Sequence, residues 1–159
     1  MSIFEWLYNT DAAGLIRASL WGYPITLTIH GVGMAIVVGL LTVVDLRLLG
    51  YFRRMPIQGL PKLWGWAVFG FIINLISGLL LFVADAPNFA TNWAFLLKIL
   101  MIVIGVVIAF LLKTAPVFKN IESLGAEAVA GTKGRILAVS SLLVWMLAII
   151  FGRLVGYVL

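Results

Sequence analysis

The chain has 159 residues, 64% of them hydrophobic and 11% charged, with 11 Lys and Arg against 6 Asp and Glu for a net charge of +5. A water-soluble core of this size does not hide so much apolar side chain, so the composition points to a bilayer. Cysteine is absent, which excludes disulfides, thiolate metal sites and thiol nucleophiles.

The chain opens with "SIFEWLYNTDAAGLIRASLWG", which mixes Phe4, Trp6, Leu7 and Tyr8 with Glu5 and Asp11 and reads as a segment lying at the outer interface. It has neither the basic start nor the short apolar core of a secretory leader and is expected to be retained. Trp21 and Tyr23 mark the headgroup level at which a first span, 23–52, enters; Arg53, Arg54 and Pro56 end it. A second span, 63–84, stops before Pro87, and a third, 93–112, has Thr91 or Asn92 as its cap and Pro116 beyond its end. Residues 113–135 are too polar to span and are expected to form a loop with a short surface helix. The fourth span is 136–159. Each run is long enough to cross about 30 Å of hydrocarbon at about 1.5 Å per residue. One all-α transmembrane domain over 1–159 is expected, an antiparallel four-helix bundle with short connections.

The cations decide orientation. Arg53, Arg54 and Lys62 fall in the first loop and Lys113, Lys119, Lys133 and Arg135 in the third, while "DAPNFATN" between spans two and three has none. The positive-inside rule then makes loops one and three cytoplasmic and puts both termini outside. The basic balance reads as topology and attraction to anionic lipid, not as a nucleic-acid surface.

The strongly polar residues within the spans are His30, Asp45, Arg47, Asn74, Lys98 and Arg153. Ionisable groups at such depth each call for an explanation, with snorkelling to the interface as the alternative. His30, the single histidine, lies about 10 Å inward from Tyr23 by helical rise, and Lys98 and Arg153 lie at nearly the same depth in the outer third. At about 100° per residue, His30 shares a face with Met34, Leu41 and Asp45; Lys98 with Met101 and Gly105; Met146 with Arg153. Ala67, Gly70, Asn74, Ser77 and Gly78 form a small or polar stripe on the second span. A second face of the first span carries a Gly31, Ala35, Gly39 ridge suited to close helix or subunit contact.

Two readings of His30 compete. In one, the imidazole bonds a neighbouring carbonyl or hydroxyl and no cofactor is held. In the other it is the axial ligand of a haem b, with room beside the Asn74 stripe, propionates on Lys98 and Arg153, and Met101 or Met146 on a facing helix as sixth ligand. Copper held by His30 and methionines, or a quinone bonded by His30 or Lys98, are further alternatives. Asp45 is expected to face the bundle and meet Lys113 or Arg135, and Arg47 to snorkel to cytoplasmic phosphate. No serine elbow, phosphate loop or carboxylate pair is present, so the chain does not read as an enzyme by itself.

The segments "HGVGMAIVVGLLTVVDLRLLG", "LISGLLLFVADAPNFATNWAFLLKILMI" and "GRLVGYV" resemble a domain family of small four-span bacterial inner-membrane proteins of unknown function. Its pattern runs from His-Gly through Asp-Leu-Arg-Leu-Leu-Gly and Phe-x-x-Lys to Gly-Arg, here from His30 to Arg153. The resemblance implies the four spans and a bacterial inner membrane, and brings no activity. A more distant likeness, resting on His30, Gly33 and Gly39, is to the copper-resistance membrane proteins and to the haem-binding protoporphyrinogen oxidases. The expectation drawn from all of this is a haem b-binding electron-transfer subunit of a larger membrane or periplasmic complex. The alternatives are a cofactor-free anchor or scaffold subunit, with a homo-oligomer as one form of it, and a haem-pathway oxidase.

Overall fold

The computed structural model describes residues 2–158. Two short helices come first, α1 (Ile3–Tyr8) and α2 (Asp11–Ala18). Ser2 caps α1 in a reciprocal box with Glu5, and the Thr10 hydroxyl accepts from Ala13 N–H at the start of α2. Arg17 fastens both helices to the bundle. Its guanidinium donates to the Tyr8 carbonyl at 2.7 Å and the Ala84 carbonyl at 3.3 Å, and lies 3.5 Å from the Tyr8 ring centroid. Ala84 ends a long helix, where free carbonyls carry partial negative charge, so a cation there is well placed.

Four long helices follow: α3 (Gly22–Leu49), α4 (Leu60–Ala84), α6 (Trp93–Thr114) and α8 (Thr132–Leu154). With their flanking turns, all four are long and apolar enough to cross a membrane. The first ends earlier than position 52 because Gly50 sits at φ 100° and closes α3 in the left-handed conformation that glycine adopts at little cost. α4 starts before the expected 63, since Pro61 fits the first helical turn. Pro87 does the same: "APNFAT" is not a loop but helix α5 (Ala86–Thr91), with Pro87 in its opening turn. Asn92 then caps α6, its Oδ1 accepting from the N–H groups of Ala94 at 2.9 Å and Phe95 at 3.1 Å. Between α6 and α8 lie α7 (Pro116–Lys119) and a 3₁₀ turn, Ile121–Ser123.

α3 packs along α4, α6 along α8, and α3 also meets α8, whereas α4 and α6 scarcely touch. One end of the bundle holds the starts of α3 and α6, the ends of α4 and α8, and the α1–α2 segment; here it is called the terminal end. The other holds the two connections around 50–59 and 115–131 and is called the loop end. The shared core runs through Val37, Leu41, Val44 and Leu48 of α3, Trp64 and Ala67 of α4, Ile108 and Leu112 of α6, and Ala138 and Trp145 of α8.

Helices in lipid gain little from apolar burial against each other, so close backbone approach and interhelical hydrogen bonds carry more of the association. Glycines set that approach between α3 and α4. A Cβ built on Gly33 would stand 2.8 Å from the Asn74 nitrogen, and one on Gly70 would stand 2.6 Å from Ile36 Cγ2 and 3.0 Å from the Val37 nitrogen. The Gly31, Ala35, Gly39 ridge is not the helix contact within this chain. Built Cβ atoms on Gly31 and Gly39 meet nothing within 4 Å, and Ala35 and Gly39 are exposed on the outer face.

Candidate functional site

His30 sits at the terminal end of the interface between α3 and α4. Its Nδ1 lies 3.0 Å from the Asn74 carbonyl oxygen and 3.2 Å from Ser77 Oγ. The Ser77 hydroxyl is itself spent on the Ile73 carbonyl at 2.7 Å, so both groups at Nδ1 act as acceptors and Nδ1 carries the proton. Nε2 is then an acceptor, and Lys98 Nζ stands 3.4 Å from it. Asn74 closes the link in return, its Nδ2 donating to the His30 carbonyl at 2.8 Å. Gly78 makes room for the ring, since a Cβ there would lie 3.0 Å from His30 Cε1. The Lys98 stem passes along Gly152 of α8, whose built Cβ would be 3.4 Å from Cδ and Cε. One imidazole thus joins α3 to α4 by hydrogen bonds and to α6 through Lys98, with α8 in contact behind.

The other sequence candidates scatter. Asn74 and Lys98 come to His30, and Met101 is partly buried against the core. Arg153 is exposed, its guanidinium 5.6 Å from the Tyr157 ring centroid. Met146 is 58% exposed and faces outward, one residue around the helix from the buried Trp145. An axial ligand needs one ring nitrogen open to the iron. Here Nδ1 is held by α4 and the Nε2 position is taken by an ammonium group, while Met146 looks away. An Nδ1–H held by a carbonyl is the contact that a metal-bound imidazole usually makes, so a metal would need Nε2, where Lys98 Nζ stands 3.4 Å away.

A second polar node lies at the loop end of the same helix. Arg47 is fully buried, and it does not snorkel. Its Nε donates to the Met55 carbonyl at 2.7 Å, Nη1 to Ala128 at 2.9 Å and Nη2 to Ala126 at 2.7 Å. The rigid guanidinium fork meets three carbonyls from two separate loops, a task a point-like ammonium cannot perform. Backbone bonds continue the seam, from Ala130 N–H to the Leu48 carbonyl and from Ile57 N–H to the Ala126 carbonyl, each at 3.2 Å.

Asp45 faces the bundle as its helical angle requires, but it does not meet Lys113 or Arg135. Both carboxyl oxygens are buried without a hydrogen-bond partner among the described residues, and the Ser141 hydroxyl of α8 is the polar group beside them. Arg135 donates instead to the Ala130 carbonyl at 3.1 Å. A buried, unpartnered carboxyl destabilises its surroundings. Asp45→Asn is therefore expected to leave the midpoint of thermal unfolding in detergent unchanged or higher; a drop of several degrees would show that the carboxyl contributes to the fold.

Comparison of the chain with protein families, curated proteins and solved structures gives no match. The class rests on the fold itself, an all-helical protein with four helices fit to cross a membrane and two internal polar nodes on one helix.

Proposed function

We propose that this protein is a multi-pass inner-membrane anchor or scaffold subunit that carries no haem and whose internal polar groups serve to lock its helices together. The observation that supports this most is the His30 ring, whose two nitrogens both face protein groups, the Asn74 carbonyl and the Lys98 ammonium. Arg47 is likewise turned inward onto carbonyls. With His30, Asn74, Lys98 and Arg47 engaged in internal links, the outer faces and the two ends are left to meet lipid and partner subunits. In this reading the loop end, with Arg53, Arg54, Lys62, Lys113, Lys119, Lys133 and Arg135, lies in the cytoplasm against anionic headgroups. The terminal end lies outside, with Trp6, Trp21 and Tyr23 exposed at headgroup level.

The deciding experiment is an absorption spectrum of the purified protein, read beside its thermal unfolding. The expected preparation is colourless, and His30→Ala is expected to lower stability by about 2–3 kcal/mol, for two or three net hydrogen bonds and the half-buried Lys98 left without its partner. A Soret band that His30→Ala removes would overturn the proposal in favour of a haem-binding electron carrier.

A further inference from the structure

The turn that closes α3 folds back along the outside of the helix it ends. Gly50 is left-handed at φ 100°, and its N–H and that of Tyr51 meet the carbonyls of Arg47 and Leu46. Two residues on, Phe52 is left-handed again at φ 52°, a conformation that a bulky L residue adopts only at a cost. The Phe52 carbonyl accepts from Met55 N–H at 2.9 Å, and the buried Arg47 holds the Met55 carbonyl at 2.7 Å, so the strained turn is pinned from inside the bundle. Between this turn and α3 lies a hollow of about 610 Å³, lined by Val43, Phe52, Arg53, Arg54 and Met55. Val43 stands four residues from the exposed Gly39 on the outer side of α3, so the hollow faces away from the bundle. Neither arginine is needed to finish the helix, whose last carbonyls the backbone already meets. Arg53 spends Nε on the Gly50 carbonyl at 3.2 Å, and Arg54 donates to no protein group among the described residues. Residues 50–62 contain no Asp or Glu, so no acid of this loop neutralises the pair.

We infer that this hollow binds one anionic phospholipid, its phosphate diester held by Arg53 and Arg54 and the start of its acyl chains laid on Val43, Phe52 and Met55. Guanidinium forks match phosphate oxygens two at a time, and basic pockets at the cytoplasmic ends of spans are where anionic headgroups settle. The lining divides as such a lipid does, into a cationic rim and an apolar floor. A zwitterionic lipid has the same phosphate but carries an ammonium group toward two cations, and a free phosphate leaves the apolar floor uncovered. The left-handed turn at Phe52 has a use in this arrangement, since it places the ring beside the arginine pair as a wall. The site belongs to the loop end that the proposed function sets among anionic headgroups, and it rests on that placement. It lies at the opposite end of the bundle from His30.

The test is native mass spectrometry of the full chain in detergent, titrated with dioleoylphosphatidylglycerol and in parallel with dioleoylphosphatidylcholine. One phosphatidylglycerol per chain is expected to bind before any further adduct, at least about tenfold more tightly than phosphatidylcholine. Arg53→Gln together with Arg54→Gln should remove that preference. Lys119→Gln together with Lys133→Gln takes the same charge from the same end but outside the hollow, and should leave the affinity within about twofold. Phe52→Gly suits the left-handed position, so the turn keeps its shape, and loss of the ring should weaken binding about two- to fivefold. Equal affinity for the two lipids overturns the inference. So does an equal loss from both pairs of substitutions, which would mean a general attraction of the loop end. Displacement of the lipid by millimolar inorganic phosphate also overturns it, because the apolar floor would then contribute nothing. None of these outcomes bears on the Soret test of His30, so the scaffold reading stands or falls on its own.

Discussion

Arg47→Met is expected to cost about 3–5 kcal/mol, the range for removing one side of a buried charged network, and to be the most damaging single polar substitution in the chain. The residue is fully buried, and its three bonds reach carbonyls at Met55, Ala126 and Ala128, so one side chain holds the end of α3 to both loops at once. Methionine replaces the apolar stem and has no donor. The loop carbonyls would lose their partner, and the seam that continues through Leu48, Ala130 and Ile57 would lose its anchor. Arg47→Lys keeps the charge and should rescue only part of the loss, because one ammonium cannot satisfy three carbonyls arranged around a planar fork. The measurement is the unfolding midpoint in mild detergent, followed by intrinsic fluorescence and by the monodisperse fraction after heating. An Arg47→Met protein as stable as wild type would show that the loops hold without this brace. Asp45→Asn supplies the contrast, since it lies two residues away on the same helix and removes a buried ionisable group of the opposite sign that makes no hydrogen bond among the described residues.

What the sequence made visible, and what it did not, follows from how each residue is recognised. Span number and approximate bounds were legible because length and apolarity are properties of a segment alone. The meeting of His30 with Lys98 was half legible: helical rise puts them at one depth, although depth alone does not distinguish a direct contact from an anionic guest between them. Arg47 was misread because a cation near a span end usually snorkels, and the carbonyls that bind it lie up to 81 residues away, brought near only by the packing of loop three on loop one. The inward face of α8 was misjudged for a different reason. Met146 and Arg153 stand out by their chemistry, yet Gly134, Ala138, Ser141, Trp145 and Ala148 are the buried set. Four of those five are small residues at helical spacing, which is the signal the sequence carries for that face, and Trp145 lies among them.

The same distinction between visible and used glycines gives the second large effect. Gly33→Leu is expected to separate α3 from α4 and to destabilise the protein by about 3 kcal/mol or more, at or above the upper end for overpacking, because the added side chain meets backbone that cannot move aside. The Cβ alone would come within 2.8 Å of the Asn74 nitrogen, and any outward shift of α4 there also pulls Asn74 and Ser77 away from His30. Gly70→Leu should behave alike, since its Cβ meets Ile36 and the Val37 backbone one turn further along the same seam. Gly31→Leu and Gly39→Leu are the controls: both sites are open within the chain, and the unfolding midpoint should stay within about 0.5 kcal/mol of wild type, as for a surface change. Equal damage from Gly33→Leu and Gly39→Leu would mean that α3 is rotated from the arrangement described. If the Gly31, Ala35, Gly39 ridge meets another subunit in the membrane, Gly39→Leu should instead change the size of the assembly on a calibrated column while leaving the stability of each chain intact. That outcome would separate the glycines that build the bundle from those that present it to a partner.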